Sequence, residues 1–404
     1  MPAPPPPPQP PPLDGSVGPS RSRLKTERAT GGKKGVGGGE STGEKASSRL
    51  TAACKADGSY ENLPTSNGYL IVEANGGLNQ QRLSICDAVA VASLLNATLV
   101  IPIFHLNSVW RDPSKFSDIF YEDRFIGTLR QHVRVVKELP KDVLLRFNHN
   151  ISSIPNMQTK AYSSRDHYVQ KVLPNGVRVW VVRIAPFSNR LAQSVPSNIQ
   201  ALRCLVNYEA LRSIIITFKF SAISCVSLVA FRTNLEAFKY VGMMLRGMGF
   251  DNTTFLYVAS GKIYNAAKYM GPLRQMFPLL QTKDTLALSE ELAEFEGYSS
   301  RLAALDYTIC VQSEVFVTTQ GGNFPHFLMG HRCYLLGGNA KTIKPDKRKL
   351  VLSFDDPNIR WNRFNHHMLE ILHHSDIRGI TFRKPNDSIY TFPMPDCMCQ
   401  QDGI

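Results

Sequence analysis

Hydrophobic residues along the chain alternate between short continuous runs and stretches with helical spacing, a pattern typical of α/β proteins. The run Tyr69–Val72 is bounded by turn residues and predicts a buried parallel strand. Apolar positions from Asn79 to Leu94 recur at helical spacing and predict a helix. Ala97–Ile101 predicts a second strand. Together these elements form one βαβ unit, the building block of a doubly wound sheet.

The second half of the chain repeats this alternation of strands and helices. Residues 213–241 separate the halves and predict no regular element, because their hydrophobic period changes abruptly. Two α/β halves predict a GT-B-like architecture, in which two Rossmann-type domains face a cleft. The other predicted elements are strands at Val177–Ile184, Thr254–Ala259 and Val315–Thr319, and helices at Cys204–Leu211, Val241–Met248, Ile263–Met270, Ser289–Glu294, Ser299–Ile309 and from about Phe324.

Residues 1–65 differ in composition from the rest of the chain. They begin with a polyproline run and continue with glycine, serine and basic residues, which bury too little apolar area to offset the entropy of ordering. We therefore predict a disordered tail at 1–65. An N-terminal Rossmann-like domain at 66–235, truncated near its end, and a C-terminal nucleotide-sugar-binding domain at 236–404 complete the predicted organisation.

Charge and cysteine content narrow the class of protein only slightly. The formal net charge is +13, which suits an anionic partner such as a nucleotide, a nucleic acid or an acidic membrane surface. Eight cysteines in 404 residues are too few for a disulfide scaffold, but they suit individual disulfides in an oxidising compartment, with buried free thiols as the alternative. Four N-x-S/T sequons favour a secretory lumen, whereas the sequence shows no signal peptide and no apolar run long enough to span a membrane.

The same local device occurs once in each half: a strand, a glycine pair and the start of a helix. The first copy is Asn75-Gly76-Gly77 and the second is Gly321-Gly322-Asn323. Glycine allows a sharp turn and close approach of a ligand, and a helix N-terminus presents unpaired N–H groups to an anion. Two such loops at the carboxyl ends of strands would lie beside an interdomain cleft and could hold a nucleotide diphosphate without a metal. Taken singly, such a glycine pair is more often only a tight βα turn.

Two polar residues near these loops allow a functional and a structural interpretation. Asp306, on the predicted helix before the second loop, could accept a hydrogen bond from a base or ribose. It could also be a solvent-facing helix residue or a partner for Arg301. Asn79 could contact a ligand or serve as a helix N-cap, to which asparagine is well suited.

Long segments of the chain resemble the plant O-fucosyltransferase family. The similarity starts with NGGLNQQRLSICDAVAVASLLNATLVIPIF, continues through Trp110-Arg111-Asp112, and includes GMMLRGMGFDNTT and GYSSRLAALDYTICVQSEVFVTTQGGNFPHFLMGH. It covers most of residues 67–399, far more than a short motif. The resemblance implies a GT-B fold and an inverting, metal-independent transfer of fucose from GDP-fucose to a protein or glycan hydroxyl. GDP-fucose would be the donor substrate and no cofactor would be needed.

The resemblance also implies a set of site residues. Asn79 is expected to act at the reacting sugar, Asp306 near the guanosine, and the turn of the second loop beside the phosphates. The substrate-binding residues implied in this way are Asn75, Gly76, Gly77, Asn79, Gln80, Asp306, Gly322, Asn323 and Phe324.

One part of the family pattern is missing from this sequence. The family carries an HLRFE-like motif whose arginine contacts the diphosphate, whereas the corresponding interval here reads RSIIITFKFSAISCVSLVAFRTNLEAFKYV and contains no HLR. Lysine or serine does not replace a guanidinium that binds two phosphate oxygens, and the loss of one charge-stabilising donor typically costs about 10²–10³ in rate. Arg232 is the candidate catalytic substitute, because it follows the shortened strand.

Three functions remain open at the level of sequence. The leading hypothesis is an active fucosyltransferase of the Golgi lumen, where the family resides. The family's membrane anchor is not visible here. The alternative is a catalytically impaired nucleotide-sugar-binding relative or a truncated isoform. A nucleic-acid binder is disfavoured, because the aromatic residues are not interleaved with a basic patch.

Overall fold

A computed structural model describes residues 63–106, 111–172, 180–214, 237–287, 289–319, 321–356, 358–377, 379 and 381–398, together with the backbone of 224–227. The predicted tail falls largely outside the described residues, as does Arg232. The described chain contains two sheets in which every pairing is parallel. The predicted α/β architecture of two Rossmann-type halves is therefore confirmed.

The first sheet has the order β3-β1-β2-β4, with β5 also paired to β1. Both faces of this sheet pack against core side chains, because successive residues of a strand point to opposite faces. Leu70 and Val72 face the largest core cluster, and Ile71 faces a smaller one. The strands are β1 Gly68–Ala74, β2 Thr98–Val100, β3 Ile103–Phe104, β4 Val135–Val136 and β5 Trp180–Ile184.

The second sheet has the order β10-β9-β6-β7-β8. Strand β6 lies at its centre, so our prediction that 213–241 contains no regular element is wrong at Ser224–Ser227. The prediction is also wrong at 237–241, because a helix spans Ala237–Gly247. The short segment Ser224–Ser227 is a strand because it pairs with both β7 and β9. It also lies on the N-terminal side of the predicted domain boundary at 236. The strands are β6 Ser224–Ser227, β7 Leu256–Ala259, β8 Leu280–Gln281, β9 Val315–Thr318 and β10 Lys341–Ile343.

The helices cover both faces of each sheet, which explains why the strands are continuous apolar runs. The long helix α1 is buried on almost every side, since even its alanines Ala88, Ala90 and Ala92 are fully buried. The helices are α1 Leu78–Leu95, α2 Glu122–Leu129, α3 Lys141–Leu145, α4 Arg165–His167, α5 Ser197–Leu205, α6 Ala237–Gly247, α7 Ala266–Met276, α8 Lys283–Leu286, α9 Ser289–Ala293, α10 Ser299–Gln312, α11 Asn323–Leu335, α12 Lys347–Phe354 and α13 Trp361–Ser375, with π-helical turns at Tyr168–Val172 and Val206–Ala210 and 3-10 turns at Phe116–Asp118 and Ile151–Ser153.

Aromatic side chains join the two halves into one core. The ring of Tyr208 stacks on Tyr334 with centroids 4.3 Å apart, and the Tyr334 hydroxyl donates to Glu209 Oε1 at 3.0 Å. The Arg82 guanidinium of α1 lies 5.0 Å from the ring centroid of Tyr307 on α10. These contacts fix α10 and α11 against the first domain.

After α13 the chain returns to the first domain. Ile389 and Tyr390 are buried there. The Tyr390 ring also stacks on Phe327 of α11, in the second half, with centroids 4.9 Å apart. A disulfide joins Cys204 to Cys397, 193 positions along the chain. The expectation of disulfides is confirmed for this pair, and Cys399 lies outside the described residues.

Candidate active site

The two glycine loops, about 240 residues apart in sequence, line a single cleft between the domains. Its volume is about 220 Å³, whereas a liquid water takes up about 30 Å³, so the cleft has room for a ligand group. The sequence predicted that both loops would lie beside an interdomain cleft, and the structure brings them together there. The lining residues are Gly77, Leu78, Asn79, Gln80, Ser299, Ser300, Ala303, Gly321, Gly322, Asn323, Phe324 and Pro325.

Each loop contains one glycine whose backbone conformation demands that residue. Gly76 has φ +94°, and Gly322 has φ +102° with ψ 174°, a region that side-chain-bearing residues almost never occupy. A Cβ on Gly322 would meet nothing within 4 Å, because that side of the backbone opens to free space. The loop thus leaves its backbone accessible for close approach of a ligand.

Helices α1 and α11 begin at these loops. Their N-caps are Gly77 and Gly322, neither of which supplies a capping side chain, and neither helix has an acidic residue in its first turn. The first N–H groups of both helices therefore retain their partial positive charge. An anion in the cleft would be stabilised by both helix ends.

Asn79 lies in the first turn of α1 rather than at its cap, so the alternative interpretation of this residue as an N-cap is wrong. Its side chain is buried and lines the cleft. Its Oδ1 atom has no hydrogen-bond partner among the described residues. Buried polar atoms are normally paired, which makes a ligand hydroxyl the fitting partner for this one.

Asp306 is buried inside the second domain, so the interpretation of this residue as solvent-facing is wrong. Its carboxylate accepts hydrogen bonds from the Tyr257 hydroxyl at 2.6 Å and from Lys283 Nζ at 2.7 Å. Burial raises the pKa of Asp306, although Lys283 and Tyr257 favour the ionised form. Arg301 instead donates to the carbonyl oxygen of Glu294. Asp306 follows Ala303 by one turn of α10 and lies behind the cleft wall.

Lys283 was not among the residues predicted from the sequence. It lies two residues after the end of β8 and donates to the carbonyl oxygen of Ser260, which follows β7. Lys283 and Asp306 form a buried ion pair at the carboxyl edge of the second sheet. No local motif identifies this lysine, because its partners are 23 residues away on either side.

Sequence analysis also missed a contact between the first domain and the N-terminus of α10, which lies at the cleft. Asp112, from the first domain, accepts hydrogen bonds from the backbone N–H of Ser300 and, at 3.1 Å, from the Ser299 hydroxyl. The helix's own N-cap residue, Tyr298, provides no capping side chain. Asp112 therefore caps α10 across the domain interface and occupies the positive end of that helix.

Asp112→Ala is expected to lower the free energy of unfolding at pH 7 by about 1–2 kcal/mol, the usual cost of losing a helix cap. Partial burial opposes ionisation of Asp112, but hydrogen bonds from Ser114 and Ser300 outweigh it and lower its pKa. The stabilising contribution is therefore complete above about pH 4 and is lost as pH falls through the lowered pKa. Chemical unfolding at several pH values measures this difference between the wild-type protein and the variant.

The matched control is Asp346→Ala, which removes the cap of α12 within the second domain. Both variants should lose stability, but only Asp112→Ala should increase amide hydrogen exchange in the first turn of α10. Equal exchange of α10 in the two variants would contradict the interdomain cap.

Comparison with known proteins connects this geometry to an activity. A family model described as GDP-fucose protein O-fucosyltransferase matches residues 69–238 and 231–335. The chain is 57% identical over 400 residues to O-fucosyltransferase 9 of Arabidopsis thaliana, covering 83% of this chain and 70% of that protein. It is 47% identical over 404 residues to Protein ESMERALDA 1 of the same plant, covering 84% and 71%.

The chain belongs to the GDP-fucose protein O-fucosyltransferase family. It is therefore a fucosyltransferase, a glycosyltransferase that uses GDP-fucose, as its sequence predicted. Among solved structures, POFUT1 in complex with GDP matches with a TM-score of 0.40 and 13% identity, covering 67% of this chain and 95% of that chain. NodZ α-1,6-fucosyltransferase soaked with GDP-fucose matches with a TM-score of 0.42 and 12% identity, covering 70% and 96%.

Proposed function

We propose that the cleft between the two glycine loops binds GDP-fucose and that the chain transfers its fucose, with inversion and without a metal, to a protein or glycan hydroxyl. The observation that carries this proposal is the meeting of two uncapped helix N-termini in one cleft. Backbone N–H groups and helix dipoles suit a diphosphate, whose negative charge increases as the sugar departs.

The chemical step breaks the bond between the anomeric carbon and the phosphate oxygen, which leaves an oxocarbenium-like sugar and the GDP anion. The acceptor oxygen then forms its bond to that carbon from the opposite face. Helix ends α1 and α11 stabilise the departing diphosphate. Asn79 Oδ1 accepts a hydrogen bond from a sugar hydroxyl, and its amide N–H groups remain available to donate to the diphosphate.

The nucleoside end of the donor is proposed to lie toward Asp306. A carboxylate has about four lone-pair positions, of which Tyr257 and Lys283 use two, so a base or ribose hydrogen bond is still available. Asn75, Gly76, Gly77 and Gln80 are proposed to flank the sugar, and Gly322, Asn323 and Phe324 the phosphates. Arg232 remains our proposed replacement for the missing motif arginine.

The Golgi lumen is the proposed location. The Cys204–Cys397 disulfide supports an oxidising compartment. The sequon residues Asn150, Asn252 and Asn386 are exposed, which fits a glycosylated protein. Within the described part of the chain, no helix is both long and apolar enough to cross a bilayer.

The test is calorimetric titration of the full chain with GDP-fucose, with release of GDP followed in the same sample. Saturable binding accompanied by GDP release supports the proposal. Binding without GDP release contradicts the transferase step for this chain, and with it the proposed catalytic role of Arg232. A folded sample that does not bind GDP-fucose contradicts the assignment of the cleft.

Asn79→Asp is expected to raise the dissociation constant for GDP by about 100-fold. The variant places a negative charge beside the diphosphate, and a like-charge contact at about 4 Å costs up to ~4 kcal/mol at an effective dielectric constant of about 20. The control is Asn358→Asp, which makes the same change at an exposed position outside the cleft lining. Equal GDP affinity in the two variants would rule out Asn79 as a donor contact.

A further inference from the structure

Three ionisable side chains converge at the carboxyl end of the first sheet. Glu73 is the penultimate residue of β1, Arg183 lies on β5, and His105 directly follows β3. Strands β3 and β5 both pair with β1, which brings the three side chains together. The proposed donor contacts use none of them.

The hydrogen bonds of this cluster determine which atom of His105 can accept a proton. Arg183 donates to Glu73 Oε1 through Nε at 2.8 Å and through Nη2 at 2.5 Å, so both hydrogen bonds reach the same carboxylate oxygen. His105 Nδ1 lies 3.2 Å from Glu73 Oε2. Where Glu73 Oε2 accepts this hydrogen bond, Nδ1 carries the hydrogen, and in the neutral form of the imidazole the lone pair is then on Nε2.

The cluster is next to the first glycine loop. The backbone N–H of His105 donates to the carbonyl oxygen of Ala74 at 2.8 Å, and Asn75, Gly76 and Gly77 follow immediately. The backbone of His105 is therefore hydrogen-bonded to the strand end that leads, within three residues and at most about 11 Å between Cα atoms, into the cleft-lining residue Gly77. The His105 side chain is 53% exposed, whereas Glu73 and Arg183 are 12% and 16% exposed. The imidazole is therefore accessible, whereas Glu73 and Arg183 are largely buried.

We propose that His105 is the general base of the transfer reaction, and that Glu73 is a positioning residue that orients its ring. This inference rests on the proposed function. His105 Nε2 removes the proton of the attacking hydroxyl while the oxygen forms its bond to the anomeric carbon. The electron pair of the breaking bond leaves with GDP, and the imidazolium is stabilised by Glu73. The acceptor therefore approaches from the first domain, on the side of β1 and β3.

The probe for this role is GDP-fucose with water as the attacking hydroxyl, measured as GDP release by the full chain. His105→Ala is expected to lower the rate of release by 10²–10⁴-fold, the usual range for loss of general acid–base catalysis. The dissociation constant for GDP-fucose should stay unchanged. Added imidazole should restore part of the rate, which a purely structural role of His105 would not allow.

Two further variants complete the design. Glu73→Gln keeps the size of the side chain but loses its charge, so it should lower the rate less than His105→Ala does. His366→Ala disrupts another histidine–glutamate pair, with Glu370 at 3.3 Å on the exposed surface of α13, and should leave GDP release unchanged.

Each outcome decides the proposal. Loss of rate in His105→Ala with recovery by imidazole supports it. A His105→Ala rate equal to that of wild type, or a loss that imidazole does not restore, overturns the base assignment and leaves the proposed function standing. Failure of the wild-type chain to bind GDP-fucose, or binding without any GDP release, is failure of the proposed function itself and overturns the base assignment with it.

Discussion

Arg203→Met is expected to lower the free energy of unfolding by about 3–5 kcal/mol, since it leaves a buried carboxylate without its partner. Arg203 and Asp87 are 0% and 1% exposed, and Arg203 Nη2 donates to Asp87 Oδ1 at 2.6 Å. Tyr390, from the returning C-terminal segment, accepts from Arg203 Nε at 3.1 Å and donates to Asp87 at 3.3 Å. Burial raises the pKa of Asp87, so without Arg203 this group would bind a proton or unfold the core. Chemical denaturation at neutral pH measures the loss.

The double variant Asp87→Leu, Arg203→Met separates the free-energy cost of leaving a buried charge unpaired from the cost of losing the ion pair as a whole. It removes both charges and should regain a large part of the lost stability, since apolar replacements of buried pairs are often neutral or stabilising. Lys137→Met is the surface control. Lys137 lies 2.9 Å from Asp123, but these side chains are 54% and 91% exposed, so only a small change is expected. If Arg203→Met and Lys137→Met were equally mild, the buried network would not be a source of stability.

Gly322→Ala is expected to weaken GDP binding by about 100-fold or more, equivalent to roughly 2.7 kcal/mol. Alanine is strained at the observed backbone angles, and its methyl group would project into the open side of the loop from which the diphosphate is proposed to approach α11. Titration calorimetry with GDP measures the affinity directly.

The matched control is Gly249→Ala, which separates backbone strain from steric exclusion of the ligand. Gly249 has φ +91° and lies after α6, outside the cleft lining, and a Cβ there also meets nothing within 4 Å. Both variants should lose a similar 1–3 kcal/mol of stability from strain, whereas only Gly322→Ala should lose affinity. Similar affinity losses in both would mean that the second loop does not contact the diphosphate.

The sequence predicted the βαβ units because their signals are local. The predicted helix Asn79–Leu94 and the observed α1 differ by one residue at each end, and the predicted strand Val315–Thr319 ends one residue after β9. The hydrophobic period alone did not predict strand β6, because its assignment depends on pairing with β7 and β9. The return of the chain from α13 to the first domain was also missed, since Tyr390 has its partners almost 200 to 300 residues earlier.

The candidate site likewise combines residues that have a local sequence signal with residues that have none. The glycine loops were recognisable because each is a local strand-turn-helix device. The cap that Asp112 provides to α10 spans 188 residues, and the ion pair between Glu73 and Arg183 spans 110. Neither Asp112 nor Glu73 carries a local signal of its partner. The burial of Asp306 likewise follows from packing and not from its position on an amphipathic helix.

The aromatic contacts between the halves limit how the enzyme can admit its substrates. Separating the domains as rigid bodies would break the stacking of Tyr208 on Tyr334 and of Phe327 on Tyr390, and the Cys204–Cys397 disulfide would still tether the C-terminal segment to the first domain. A large hinge opening is therefore costly, and substrate entry is left to movements of loops at the rim. Small-angle scattering should accordingly give nearly the same radius of gyration with and without GDP-fucose.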